Sequence, residues 1–255
     1  MKNKFTILGC GSSLGSPWIT NYKSKLKQTK KNIRSRCCAH IKYKDLSILI
    51  DTSPDIKQQI IKNKIRSIDA ILYSHEHADQ TSGIFELKPF SWINKKKIPV
   101  FGTNRTIKLL KKNYKYCFYK VKKYKPFLSS NIIKNRFIIR KEKNILPISV
   151  IDVTHGDIPS SAYIIEKLAY LSDCNKIPNK SLKYFFNLNF LIIDCLKNKK
   201  HPSHFNYNDV MRLIKILKPK KTILTNLSLD MDYSLLKKKL PKNIIPAHDG
   251  LSFNF

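Results

Sequence analysis

The sequence predicts one layered domain of mixed α and β structure, and three observations carry that prediction. Short continuous apolar runs alternate with longer runs whose apolar residues recur at helical spacing, the pattern of strands and helices packed in layers. The chain has 255 residues, 42% of them hydrophobic, enough for one large core. No internal linker or low-complexity tract interrupts it beyond a general excess of lysine.

The elements follow in order. FTILG (5–9), AHIKY (39–43) and SILID (47–51) read as strands. Residues 20–36, TNYKSKLKQTKKNIRSR, are basic and aperiodic and read as an exposed loop, with contact to a substrate left open. DIKQQIIKNK (55–64) has helical spacing, and IDAILYS (68–74) is a buried strand by its unbroken apolar run. TSGIFELKPF (81–90) reads as the start of a helix, with Thr81 or Ser82 able to cap it. Further strands are expected at 98–101, 136–140, 146–152, 161–166, 168–172, 189–194, 222–226 and 251–255, and helices near 104–114, 206–217 and 232–240.

Composition sets bounds on partners and compartment. The net charge is +32, from 49 Lys and Arg against 17 Asp and Glu. Such a charge attracts polyanions. The lysines are spread along the chain, however, which reads as compositional bias rather than selected RNA binding, and nucleic acid stays open as a partner. The six cysteines form no CxxC pair, so buried thiols in a reducing cytoplasm are expected. The N-terminal apolar run is too short for a signal peptide, and no run reaches the roughly 18 residues of a membrane span. A cytoplasmic protein with no membrane partner is the expectation, and a homodimer is left open.

Every group with chemistry falls near a strand end. His75, His77 and Asp79 follow the strand at 68–74, and His155 follows the one at 146–152. Asp173 ends AYLSD, and His204 comes shortly after the strand at 189–194. Loops on the ends of a rigid sheet are where sites are usually built. In YSHEHADQ, two imidazoles held by one short loop can face the same ion, and a third from elsewhere, with a carboxylate or water, completes the set. A lone histidine is more often structural, which is the reading for His40 and His201. The HxHxD spacing sets His75 and His77 apart.

SHEHADQTSG after a hydrophobic strand resembles the HxHxDH signature of the metallo-β-lactamase-fold hydrolases. ILGCGSSLGSP, SILIDTSPD with Asp51, VTHGDIPSSAYIIE with His155, AYLSDCNKIP with Asp173, HPSHFNYND with His204 and the closing PAHDGLSF resemble the branch of PhnP-like phosphodiesterases, itself related to the tRNA 3′-processing endonucleases. The resemblance covers nearly the whole chain. It implies an αββα sandwich over 1–255 as a single domain. It implies a first metal site of His75, His77 and His155, with Asp173 bridging, and a second site of Asp79, the residue after it and a late histidine. Here those last two positions hold Gln80 and Asn226, so one Zn²⁺ or Mn²⁺ is expected to bind tightly and a second weakly or not at all. Amide oxygens there would suit Mn²⁺ or Mg²⁺ better than Zn²⁺. His248 is a candidate replacement ligand, though packing is the reading we favour. Relatives of this branch often carry a cysteine-rich zinc loop; WITNYKSKLKQTK has no cysteine, so no structural zinc is expected there.

The implied activity is hydrolysis of a small or cyclic nucleotide-like phosphodiester by water that the metal acidifies. Asp79 would orient the water, His204 would contact the phosphate or act as general acid, and Arg36 is a candidate phosphate contact. Two alternatives stay open: a ribonuclease, and a weakened descendant that binds metal or a phosphate ligand.

Overall fold

Side-chain alternation decides what each strand buries. In the strand Leu46–Ile50, Ile48 and Ile50 point into one apolar cluster and Leu49 into another. Leu168 and Tyr170 of the strand Leu168–Leu171 join that same first cluster, while Ala169 and Leu171 join a third. Two sheets with a shared core between them and a helical layer on each outer face satisfy all three demands, giving an αββα sandwich.

The computed structural model describes residues 3–21 and 29–255. The first sheet holds β1 (Lys4–Gly9), β2 (Cys38–Tyr43), β3 (Leu46–Ile50), β4 (Ala70–Leu72), β5 (Ile98–Gly102) and β6 (Leu128–Ile132). The second holds β7 (Arg136–Lys141), β8 (Asn144–His155), β9 (Ile158–Ile165), β10 (Leu168–Leu171), β11 (Phe190–Asp194), β12 (Lys221–Thr225) and β13 (Ile244–Pro246). A last strand, β14 (Leu251–Asn254), returns to pair with β1. The two seven-stranded orders are β14-β1-β2-β3-β4-β5-β6 and β13-β12-β11-β10-β9-β8-β7. Both sheets are mixed: β3 to β6 run parallel, as do β10 to β13.

Helices α1 (Ile56–Lys62), α2 (Ala78–Thr81), α3 (Lys88–Ile93), α4 (Asn104–Asn113) and α5 (Lys115–Phe118) lie along the first half of the chain. Of these, α1, α4 and α5 pack Ile56, Ile60, Ile107, Leu110 and Cys117 against the outer face of the first sheet. Helices α6 (Tyr207–Leu217) and α7 (Tyr233–Lys239) cover the second with Val210, Ile214, Leu217 and Leu236. Each fully buried aliphatic side chain here contributes about 1.5–3 kcal/mol over exposure.

The two sheets are tied together beside the HxH loop. The Tyr163 hydroxyl donates to the Tyr73 carbonyl at 2.7 Å, and Ser161 N donates to the Ser74 carbonyl at 2.9 Å. The strand leading into His75 is thereby fixed against the opposite sheet.

The structure corrects three sequence expectations. The helix after the HxHxD loop does not start at Thr81 or Ser82; α2 begins at Ala78 with His77 at its N-cap, and Thr81 is its last residue. It stops early because Gly83 lies against the Ser53 carbonyl, where an added Cβ would sit only 2.1 Å from that oxygen. The chain resumes as a 3₁₀ turn and then α3, with proline in its first turn. Secondly, β6 and β13 are strands that periodicity did not reveal, one half-exposed at a sheet edge and one only three residues long. Thirdly, the part of the basic stretch at 29–36 is not loosely exposed. Arg34 is 2% exposed and donates to the Ser228 and Met231 carbonyls, which ties this segment to the second half of the chain. Residues 22–28, which carry the rest of that stretch and most of the cysteine-free segment, lie outside the described residues. All six cysteines are buried and free. Among the described residues, no helix is long and apolar enough to cross a membrane.

Candidate metal centre

The HxHxD loop leaves β4, and His155 is the last residue of β8, so the two sheets deliver histidines to one place. One ring nitrogen from each of His75, His77 and His155 lies within 4.8 Å of the others. His75 Nε2 and His77 Nδ1 face each other at 2.9 Å. His155 Nδ1 sits 2.7 Å from the Ser203 carbonyl, which can only accept. That nitrogen therefore carries the proton, and Nε2 keeps a free lone pair. Gly156 makes the approach of Ser203 possible: its φ is +60°, and a Cβ there would meet Ser203 Cβ at 3.0 Å. His75 is oriented through Asp51 and Ser74. Asp51 accepts from Ser74 N at 2.8 Å and lies 2.9 Å from Ser74 Oγ, which is 3.0 Å from His75 Nδ1. Burial raises the Asp51 carboxyl well above its usual range against the pull of its hydrogen bonds from Ser74, and the Ser74 hydroxyl links it to His75 Nδ1, which holds the ring in place. Burial drives His75 down to about 3 and lowers His155, so both rings are neutral at pH 7, as metal ligation requires.

Asp173 follows β10 and is 3% exposed. It joins His155 and His204 in a second group of ligand atoms within 4.8 Å of one another. Burial would raise its carboxyl, but the surrounding imidazoles, His75 first and then His204 and His155, outweigh that and hold it below the usual range. His204 donates Nδ1–H to Asp194 Oδ2 at 2.6 Å, which leaves Nε2 as its only other polar atom. Burial disfavours the His204 cation, yet the Asp194 charge and hydrogen bond raise it to about 9. Burial lifts Asp194 to about 7 against the pull of His204. Both shifts describe one proton held between the two groups through neutral pH. Asp194 closes β11, is fully buried and also accepts from Cys174 N at 2.9 Å. Sequence reasoning missed it, although an ionisable residue ending the apolar run FLIID was a usable signal.

Gln80 and Asn226 are each 1% exposed. Gln80 Nε2 donates to Asp173 Oδ2 at 3.0 Å and to Asp79 Oδ2 at 3.3 Å. Asn226 Nδ2 donates to the Ser172 carbonyl at 2.7 Å and to Asp173 Oδ1 at 3.2 Å. It also lies 3.2 Å from His204 Nδ1, but that nitrogen has spent its proton on Asp194 and offers no lone pair. Both amides thus turn nitrogen toward the carboxylates, whereas the sequence expectation pictured their oxygens as weak ligands. Burial and the Asp173 charge raise Asp79 to about 6. Asn226 and Asp51 both take left-handed backbone, with φ of 59° and 65°, as their strands end in the site.

Two other candidates are engaged elsewhere. The Arg36 guanidinium forms a two-pronged pair with Asp55, Nε to Oδ2 at 2.8 Å and Nη2 to Oδ1 at 2.7 Å. It lines a cavity of about 1140 Å³ between the Gly15–Thr20 segment and α1. His248 packs edge-on to Tyr233 at 5.9 Å and directs Nδ1 to the Asp249 carbonyl, apart from both groups of ligand atoms.

The donor set fits a divalent cation. Two neutral imidazoles have their second nitrogens engaged, a third stands beside them, and a buried carboxylate adjoins. Known proteins share the fold that carries this site. A diphosphatase from the PhnP family, solved by crystallography, superposes with a TM-score of 0.90 at 29% identity over 100% of this chain and 98% of that one. Zn²⁺-bound PqqB from Methylobacterium extorquens gives 0.79 at 14% identity, covering 99% and 100% of the two chains. The short form of human tRNase Z gives 0.70 at 16%, covering 98% of each, and these two likenesses speak for the fold alone. An octanoyltransferase of Porphyromonas gingivalis (strain ATCC BAA-308 / W83) is 26% identical over 259 residues, 96% of this chain; the chain spans about 50% of that relative's length. Residues 47–225, from β3 through β12 and including His75, His77, Asp79, His155 and Asp173, match the beta-lactamase superfamily domain, and the chain belongs to that family.

Proposed function

We propose that the chain, acting as a single domain over 1–255, is a metal-dependent phosphodiesterase on a small or cyclic nucleotide-like substrate. The observation that carries this reading is His204, whose ring lies 4.7 Å from that of His155, beside the groups gathered for a cation. His75, His77 and His155 form one group of ligand atoms, and Asp173 and His204 join His155 in a second. Asp194 keeps His204 protonated. The likeness to a PhnP-family diphosphatase at 29% identity supports the substrate class.

When bound, a divalent cation, Zn²⁺ or Mn²⁺, polarises a phosphoryl oxygen and acidifies water. The chain's own residues do the rest. Asp79, half-buried beside the histidines, orients a water for attack. His204 presents Nε2–H toward the phosphate and gives its proton to the leaving alkoxide. Asp194 holds the ring and stabilises its charge. Arg36 reaches a phosphate only if it loosens from Asp55. A second reading, a ribonuclease, is favoured by the +32 charge.

Hydrolysis assays decide between them. Bis(p-nitrophenyl) phosphate, a 2′,3′-cyclic nucleotide, a dinucleotide with a P–O–P linkage and a pre-tRNA are offered with Zn²⁺ and Mn²⁺ in turn. Turnover of the small esters with none of the pre-tRNA supports the proposal. Cleavage of the pre-tRNA alone favours the ribonuclease, and no turnover of any points to a binding descendant.

A further inference from the structure

We propose that the carboxamides of Gln80 and Asn226 do the work of a second cation, so that this chain operates with a single ion and the two amides are positioning residues for Asp173 and Asp79. The proposal rests on the metal-hydrolase reading above and makes it more specific.

The argument begins with charge. Asp79 and Asp173 face one place from two different sheets, and Asp173 is almost wholly buried. Two carboxylates brought together in a low-dielectric site repel each other, and something positive must lie between them. A metal ion is one solution. Here the place is filled by Gln80 Nε2, within hydrogen-bond reach of an oxygen from each carboxylate. Asn226 Nδ2 takes the other Asp173 oxygen. Both oxygens of Asp173 are thus met by amide hydrogens, and a cation cannot share the position of the Gln80 nitrogen.

The orientation of Gln80 follows from the same chemistry. Its Oε1 is buried and has no hydrogen-bond partner. Turning the amide over would give Oε1 no donor, and would set it against two carboxylate oxygens. The side chain accepts one orphaned acceptor because its nitrogen is what the site uses. A glutamine placed there merely to fill space would need neither the orphaned oxygen nor the double contact.

An amide pair differs from a cation in two ways. It carries no net charge, so the cluster stays more negative around the one ion that His75, His77 and His155 offer to hold. It also cannot be lost by dilution or chelation, so Asp173 keeps its orientation in metal-free protein.

The test is metal stoichiometry, followed by calorimetric titration of metal-free full-length chain with Zn²⁺ and, separately, Mn²⁺. The wild type is expected to take one ion per chain even in excess metal. The isosteric Gln80→Glu exchanges the donor for an anion and is expected to take a second ion, as is Gln80→His with Asn226→His. Histidine is among the residues that tolerate the left-handed backbone at 226. Circular dichroism establishes that each variant folds. A wild type that binds two ions overturns the proposal and leaves the metal-hydrolase reading standing. A wild type that binds none overturns that reading, and the proposal with it. Variants that fold but still take one ion also overturn it, because the amides would then not be what keeps the second ion out.

Discussion

Asp194 presents one oxygen to His204 and leaves the other without a partner inside the protein. Such an arrangement is stable only because His204 carries charge, which makes the pair a unit rather than two independent residues. Asp194→Asn is therefore expected to lower turnover about 10–100-fold at saturating substrate while bound metal is unchanged. Wild-type turnover in that variant would remove the pair from the mechanism. His204→Ala is expected to lower turnover with little loss of metal. Its ligand atom nonetheless stands within 4.8 Å of those of His155 and Asp173, so a metal assay on the same variant tells a proton donor from a ligand. His40 gives a different kind of prediction. Its Nε2 faces Ser47 Oγ at 2.8 Å, and that hydroxyl donates to the Ser67 carbonyl, so Nε2 must carry a proton. Burial first, then Lys42 and Lys4, lower it to about 4. The unfolded chain binds this proton near its ordinary value of about 6.5. Stability is therefore fully present above about 6.5 and falls as pH drops toward about 4, by up to ~3 kcal/mol. Urea midpoints at pH 7.5 and 4.5 for wild type and His40→Gln should show a slope that the variant loses. At this scale the sequence exposed the clustered residues best. His75 and His77 announce themselves by spacing, whereas Asp194 is one acidic residue ending one apolar strand, and only the fold brings His204 to it.

The elements show the same division between local and distant causes. Strands such as β3 and β11 could be read from their apolar runs, and α4, α6 and α7 from helical spacing, while the structure adds the Thr103, Asn206 and Asp232 caps. What could not be read was decided by contact. Helix α2 ends at Thr81 because Gly83 must lie against Ser53, a fact about a neighbouring segment. Arg34 is buried in a lysine-rich stretch because carbonyls about two hundred positions away accept its hydrogens. The tight turn between β8 and β9 gives the prediction that belongs here. Gly156→Ala places a side chain on a left-handed residue and against Ser203. The cost expected is about 1–2 kcal/mol of backbone strain, seen as a lower urea midpoint. Weaker metal binding should accompany it, since the Ser203 carbonyl that fixes the His155 tautomer is displaced. Unchanged metal affinity in a destabilised variant would show that His155 does not need that carbonyl.

For the molecule as a whole, net charge separates two classes of partner by their response to salt. A chain carrying +32 is expected to attract RNA at low ionic strength whatever its function. If six to ten phosphates are engaged, that affinity should fall about 10³–10⁵-fold between roughly 50 and 200 mM salt. Turnover of bis(p-nitrophenyl) phosphate, a single charge at the cleft, should change far less over that range. Parallel salt series by filter binding and by hydrolysis test this. If both fall together, the charged surface takes part in recognising the substrate.

The path of the chain between the sheets has a consequence for assembly. Everything up to β6 builds one layer pair, everything from β7 to β13 builds the other, and only the last strand goes back. Leu251 and Phe253 of that strand pack against the central core, beside β1. The backbone crosses from one layer pair to the other at residues 133–135, and it could be severed there without breaking any strand. Two fragments cut at Lys134 would each lack part of the metal centre, yet the second would carry the strand that completes the sheet of the first. The returning strand is thus a clasp that recruits one half to the other, and ligand convergence at the cleft becomes a reporter of whether two separately made pieces have found each other.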